Sequence, residues 1–295
     1  MVNAIPQRRI DLTFRLGTGT FGETGTNTLK VTGGRVRCHI EQNGGPNFGL
    51  AQVRVVGLTM STMNQLSGLN ANTIMRRNSI AIEAGNVGDT ALAVVFQGQI
   101  TVSQLDGSAA PEIGINIIAN GGMLQALQPA QATSYPGAAN AADIMGTLAG
   151  KMGFGFQNHG VNFPMASPYY WGPYWRQAQD VAHDARIAWT VTPDQVLHIY
   201  PAVTQPSQQI PVFSPGTGLV GYPSQWDAGP AFRIEFNPYI NFFDWFAVEK
   251  SAISIANGKW QAVRVSHDID AETPGGAWFT NLQGMNLAAL GQPNG

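Results

Sequence analysis

The chain has 295 residues, 44% of them hydrophobic and 9% aromatic, which is enough to bury a sizeable core and excludes a disordered protein. Only 12% are charged, about half the usual share, while Gly (35) and Pro (18) run high, a balance that suits short strands whose outer faces meet neighbouring subunits. The net charge of −2 conceals an asymmetry: residues 1–77 hold nine Lys or Arg against three acids, and the remainder seven against fifteen.

Those nine cations (Arg8, Arg9, Arg15, Lys30, Arg35, Arg37, Arg54, Arg76 and Arg77) are scattered and lack interleaved aromatics, so they suit an acidic protein partner as well as a nucleic acid. The N-terminus has no apolar stretch of signal-peptide type, and no run approaches the ~18–20 apolar residues of a membrane span. A cytoplasm-like compartment and no membrane insertion are expected.

Residues 8–16 alternate as a first strand, with Ile10, Leu12 and Phe14 on one side. Leu29–Thr32 and Arg35–Gln42 read as short strands joined through Thr32-Gly-Gly, and Gln52–Gly57 as the next. Cys38, the single cysteine, reads as a small buried hydrophobe, with His39 on the opposite strand face. Leu58, Met63, Leu66 and Leu69 fit a short helix ending near Gly68. Strands resume at Ser79–Ala84, Ala91–Thr101 and Glu112–Ala119, completing a first barrel or sandwich over 1–125.

A helical period follows over Ala141–Met152, with Gly153 as its stop, and again over Pro173–Ala188. On the second helix Tyr174, Ala178, Val181 and Ala185 form one stripe, with Gln177, Asp180 and Asp184 opposite. Trp189–Val191 is expected to pair with Val196–Tyr200, so 126–203 reads as an α+β insert. Beyond a linker at 204–209, Val212–Phe213, Gly218–Tyr222, Ala231–Phe236, Phe243–Lys250 and Trp260–Ile269 are strands of a second barrel over 204–295. The fold class is mainly β with a small α+β insert: two barrels flanking an α+β domain.

Two stretches carry residues of chemical interest. In Ser266–Thr280 (SHDIDAETPGGAWFT), His267, Asp268, Asp270 and Glu272 crowd together like metal ligands. Strand alternation instead puts Val263, Val265, His267 and Ile269 on one face and Arg264, Asp268, Asp270 and Glu272 on the other. That reads as a hairpin with an acidic, solvated outer face, closed by Thr-Pro-Gly-Gly. The second stretch is the aromatic run Ser167–Trp175, in which Tyr169, Tyr170, Trp171, Tyr174 and Trp175 form either a partner or glycan contact or a loop packed onto the helix beneath it. His183 and Asp184 offer a ligand pair but read as a polar helix face; His159 falls in a turn and His198 in a strand. Gly17-Thr-Gly-Thr-Phe-Gly mimics a dinucleotide fingerprint without the helix that should follow it, and no nucleophile elbow, phosphate loop or paired Cys-x-x-Cys is present.

Three segments taken in order, Val53–Ser67 (VRVVGLTMSTMNQLS), Ser134–Phe154 (SYPGAANAADIMGTLAGKMGF) and Ser266–Thr280, resemble the baseplate hub proteins of tailed bacteriophages, the late-control-D or tube-to-spike adaptor group. The resemblance implies that the two β-barrels are tail-tube-like and that the chain forms a homotrimer whose six barrels mate with a six-fold tail tube. It further implies a central spike protein on the opposite face and a channel through which tape-measure protein and phage DNA pass. The implied location is the virion tail, assembled in the host cytoplasm. It implies no enzymatic activity, cofactor, metal or catalytic residue; Asp268, Asp270 and Glu272 become candidates for a channel-facing wall. The alternatives are a tail tube or distal tail protein, a carbohydrate-binding module on Tyr169–Trp175, and a metal-dependent hydrolase on His267 and Asp268 or on His183 and Asp184.

Overall fold

The computed structural model describes residues 7–45, 47–68, 74–108, 110–202, 204, 209–226 and 229–286. Leu69 of the expected first helix and most of the expected 204–209 linker lie outside the described residues, as do residues 1–6 and the last nine.

The N-terminal part is built from β1 (Arg8–Arg15), β2 (Thr28–Thr32), β3 (Arg35–Gln42), β4 (Leu50–Val56), α1 (Met60–Leu66), β5 (Ser79–Asn86), β6 (Ala93–Asp106), β7 (Gly114–Asn120) and α2 (Met123–Leu127). The insert holds β8 (Thr133–Ser134), β9 (Ala138–Asn140), α3 (Ala141–Met152), β10 (Gly155–Asn158), β11 (Pro164–Ala166), β12 (Tyr169–Tyr170), α4 (Tyr174–Ala185), β13 (Ile187–Val191) and β14 (Val196–Pro201). The C-terminal part holds β15 (Val212–Phe213), β16 (Ser224–Trp226), β17 (Gly229–Glu235), β18 (Trp245–Val248), β19 (Gly258–Ala271) and β20 (Trp278–Met285).

One 13-stranded sheet runs through both β lobes in the order β16-β17-β20-β19-β3-β4-β7-β6-β5-β1-β2, with β18 on β19 and β15 on β18. Period-2 alternation explains the first lobe. Ile10, Leu12 and Phe14 of β1, Val36, Cys38 and Ile40 of β3, and Ile115, Ile117 and Ala119 of β7 all point inward and are almost completely buried. Met63 and Leu66 of α1 join the same core. Two bulges bend β6, one at Val95 opposite Ile82/Glu83 of β5 and one at Thr101 opposite Ile118/Ala119 of β7, and the sheet curls until β1 comes back against β19. There the Arg8 Nη1 donates to the Gly276 carbonyl at 2.7 Å.

The strand that joins the lobes is β19. Its N-terminal part pairs with β18 and its C-terminal part with β3, while β20 lies along its other edge. Val265 accordingly enters the core of the C-terminal lobe with Phe232, Phe246 and Leu282, whereas Ile269 and Ala271 enter the first core. A bulge between Ala262 and Arg264 moves the inward position to Ala262 and leaves Val263 half-buried, against the uninterrupted alternation expected there. Gly218–Tyr222 is not a strand either; only Leu219 bridges, to Ile234.

In the insert, Asn140 caps α3 by accepting from the Ala142 N–H at 2.9 Å, and Gly153, at φ +80°, ends it as its sequence position predicts. Helix α4 stops three residues earlier than expected because Arg186 adopts φ +53° and its N–H returns to the Ala182 and His183 carbonyls. The freed Ile187–Val191 becomes β13, paired with β14 in the anticipated register region. Sequence reading missed β10, whose four exposed residues carry no inward signal but pair in parallel with β14.

Candidate assembly surface

Across β17, β20, β19, β3 and β4 the outward side chains make one polar surface that spans both lobes. Arg233 Nε donates to Asn281 Oδ1 at 3.0 Å, and Asn281 Nδ2 donates to Asp268 Oδ2 at 2.7 Å. Asp268 Oδ1 lies 2.6 Å from His39 Nδ1, His39 Nε2 lies 3.2 Å from Glu41, and Arg264 Nη2 donates to the same Glu41 oxygen at 3.0 Å. Burial by itself would lower the His39 pKa, but the two carboxylates outweigh it and raise it above the ordinary histidine value. Burial likewise pushes Asp268 up, and its hydrogen bonds to His39 and Asn281 more than offset this, holding it below the usual carboxylate range. The surface is polar but charge-paired.

This corrects the acidic face expected of Asp268, Asp270 and Glu272. Asp268 is half-exposed and neutralised as above. Asp270 is buried, 3.4 Å from Arg37 Nε and accepting from the Ala277 N–H at 3.3 Å. Glu272 has left the strand at φ +52° and accepts from Gln7 Nε2 at 3.0 Å. The hairpin itself closes as predicted: Thr273 to Gly276 form a turn with Gly275 at φ +67° and a Gly276 N–H to Thr273 carbonyl bond of 3.0 Å.

His267 lies on the opposite strand face, fully buried between the two lobe cores. Its Nε2 faces the Gln42 amide nitrogen at 3.3 Å and so accepts; its Nδ1 lies 2.9 Å from Thr280 Oγ1. Burial lowers its pKa to about 4, so the ring is neutral and its one lone pair is occupied by Gln42. His267 and Asp268 therefore do not converge on a common ligand. His183 Nδ1 lies 3.4 Å from Asp184 Oδ1, while the other Asp184 oxygen accepts from Tyr170 Oη at 3.0 Å. His159 Nε2 and His198 Nδ1 are 2.9 Å apart in nearly parallel rings, a hydrogen-bonded pair that stacks on Tyr200. Cys38 is buried, and burial pushes its thiol far above the ordinary value.

The structure divides the aromatic run. Tyr169 and Trp171 are 63% and 73% exposed. Tyr170 and Trp175 are buried, which removes them from any contact surface. Tyr170 is tied to Asp184, and the Trp175 ring packs 5.1 Å from Phe48 and 4.9 Å from Trp189. Tyr174 carries Lys151 Nζ over its ring at 5.3 Å. Gln177, expected on the polar side of α4, is fully buried because its Nε2 donates to the Gln131 and Gly172 carbonyls, both at 2.8 Å.

The chain-level charge asymmetry is partly cancelled in three dimensions. Lys30 pairs with Glu83 at 2.7 Å, Arg35 with Glu112 at 2.9 Å, Arg54 with Asp106 at 2.6 Å and Arg9 with Asp11 at 2.8 Å. Apart from Arg9 and Asp11, which are neighbours on one face of β1, sequence reading missed these pairs because the partners come from different turns or strands.

No protein-family model matches the sequence, and no curated protein matches it. Solved structures do. The 43 kDa tail protein of prophage MuSo2 from Shewanella oneidensis superposes with a TM-score of 0.60 at 9% identity, covering 95% of this chain and 98% of that one. A tail protein from Neisseria meningitidis MC58 superposes with a TM-score of 0.60 at 8% identity, over 93% and 96%. The E. coli c3393 protein, a type VI secretion component, gives 0.54 at 8% identity, over 85% and 73%. The chain thus has the mainly β fold of phage tail proteins.

Proposed function

We propose that the protein is a structural, non-enzymatic component of a phage-type tail: a ring-forming hub that acts as a homotrimer between a tail tube and a central spike. The observation that carries this reading is the continuity of the sheet. Because the 14-residue β19 enters both cores, the two β lobes are held side by side with one common polar face. Three such subunits would present six lobes to a six-fold tube. The likeness in fold to phage tail proteins over nearly the whole chain supports the same reading.

In this proposal the shared face, with Asp268, His39, Glu41, Arg264 and Arg233, lines the passage for tape-measure protein and DNA. His39 and Arg264 are paired with carboxylates and Arg233 is hydrogen-bonded to Asn281, so the face offers phosphates little net attraction. The location that follows is the virion tail, reached by assembly in the host cytoplasm.

The test is the native mass of the purified chain by light scattering, with electron microscopy of the particle. A ring of three times the 31.5 kDa subunit mass is expected. A six-membered ring would transfer the reading to a tail tube protein, and a monomer that does not assemble with tube protein would overturn it. Strong retention of DNA at physiological salt would remove the passage role. The exposed pair Tyr169 and Trp171 keeps a glycan-binding reading testable, by loss of glycan-array binding in Trp171→Ala.

A further inference from the structure

In the N-terminal lobe, Arg15, Arg76 and Arg77 stand apart from the paired cations. All three are exposed, and none has a carboxylate within ion-pair distance among the described residues. They come together for a local reason. Arg15 ends β1 opposite Ser79 of β5, and the backbone of Gly17 lies against that of Arg76 and Arg77 so closely that a Cβ there would sit 2.2 Å from the Arg76 carbonyl. Arg76 is spent on the Ser67 and Gln65 carbonyls at 2.6 and 3.3 Å. Arg77, held at φ +54°, is not.

Arg15 and Arg77 both line an open groove of about 650 Å³ over the outer face of β1, β5 and β6. Its floor is made of small side chains, Thr13, Ser79 and Ala81, together with Gly98. The opposite wall is α2, a helix with no buried residue, which contributes Met123 and Leu124. A Gln97 amide lies between them. The exposed Asp194, next to Gln195 on the far wall, pairs with neither arginine.

We infer that this groove docks an acidic, amphipathic segment of a partner protein. Its carboxylates meet the Arg15 and Arg77 guanidinium groups, whose forked donors match them, and its apolar side chains lie against Met123 and Leu124. The small-residue floor lets the segment's backbone approach the sheet. A nucleic acid fits less well, because no aromatic ring is among the described residues lining the groove and bases would have nothing to stack on. The site is separate from the shared polar face, so it stands or falls independently of the passage role.

The test uses the full chain and a fluorescein-labelled peptide of six Glu-Leu repeats, with a Lys-Leu peptide and a dT12 oligonucleotide as comparators, read by anisotropy at low and physiological salt. The Glu-Leu peptide is expected to bind in preference to both, and Arg15→Glu/Arg77→Glu to weaken it at least about tenfold. That double variant should melt with the wild type, since both side chains are exposed. Undiminished binding in the variant, or preference for dT12, would overturn the inference. So would competition by unlabelled chain alone, which would make the occupant a second copy.

Discussion

Trp175→Ala is the sharpest test of how the insert is fixed to the first lobe. The indole is 4% exposed and sits between Phe48 of the loop after β3 and Trp189 of β13. A Cβ at Gly122, at the start of α2, would lie 2.4 Å from its ring, so the backbone there already touches it. Truncating a buried Trp to Ala costs about 3–5 kcal/mol through lost burial and the cavity left behind. With roughly 2–4 °C of Tm per kcal/mol in a chain of this size class, the melt should fall by about 6–20 °C. Trp175 Nε1 is buried without a hydrogen-bond partner among the described residues, so Trp175→Phe keeps most of the ring area and should cost much less than the alanine change. Trp171→Ala, at a 73% exposed ring, should stay within about 0.5 kcal/mol of wild type. Calorimetry, which also reports whether the lobes melt together, and circular dichroism give the comparison. A Trp175→Ala melt within about 2 °C of wild type, or one equal to that of Trp171→Ala, would refute the anchoring argument.

Three further outcomes follow from the same geometry. The pKa of His267 is about 4 in the fold against an ordinary 6.5, so it contributes stability that is present above 6.5 and lost as pH falls toward 4. The integrated effect is roughly 3 kcal/mol, and denaturant titrations of His267→Gln should show a flatter stability profile in that window. His159 and His198, also lowered by burial, retain their share of the slope in that variant. A Cβ on Gly45 would sit 2.0 Å from the Trp189 ring while the Gly45 N–H donates to the Trp189 carbonyl at 2.8 Å; Gly45→Ala should therefore destabilise by about 1–3 kcal/mol and raise hydrogen exchange at the amides of 43–45 and 47–49. Asp268→Asn removes one of the two carboxylates that raise His39, so the His39 titration followed by NMR should move to lower pH; no movement would mean that Glu41 alone sets it.

Local periodicity determined much of this protein by itself. Alternation placed Ile10, Leu12 and Phe14, and likewise Cys38 against His39, on their proper faces, since a strand's side chains obey a period of 2 whatever it pairs with. Asn140, Gly153 and the Thr-Pro-Gly-Gly turn set their own boundaries because capping and positive φ are properties of a few adjacent residues. The hub resemblance anticipated a mainly β tail-protein fold. Tertiary structure decided which strands pair: β2 lies on β1 rather than on its sequence neighbour β3, and β19 divides itself between two cores. It also decided the character of the candidate sites. Strand parity put Asp268 and Asp270 on one face, but only Arg37 and the returning hairpin bury Asp270, and only His39, from a strand 229 positions away in sequence, neutralises Asp268. Likewise nothing in Ser167–Trp175 distinguishes the rings that end in the core from those that end in water. Burial and charge pairing depend on which distant segments arrive, and that is a property of the folded chain as a whole.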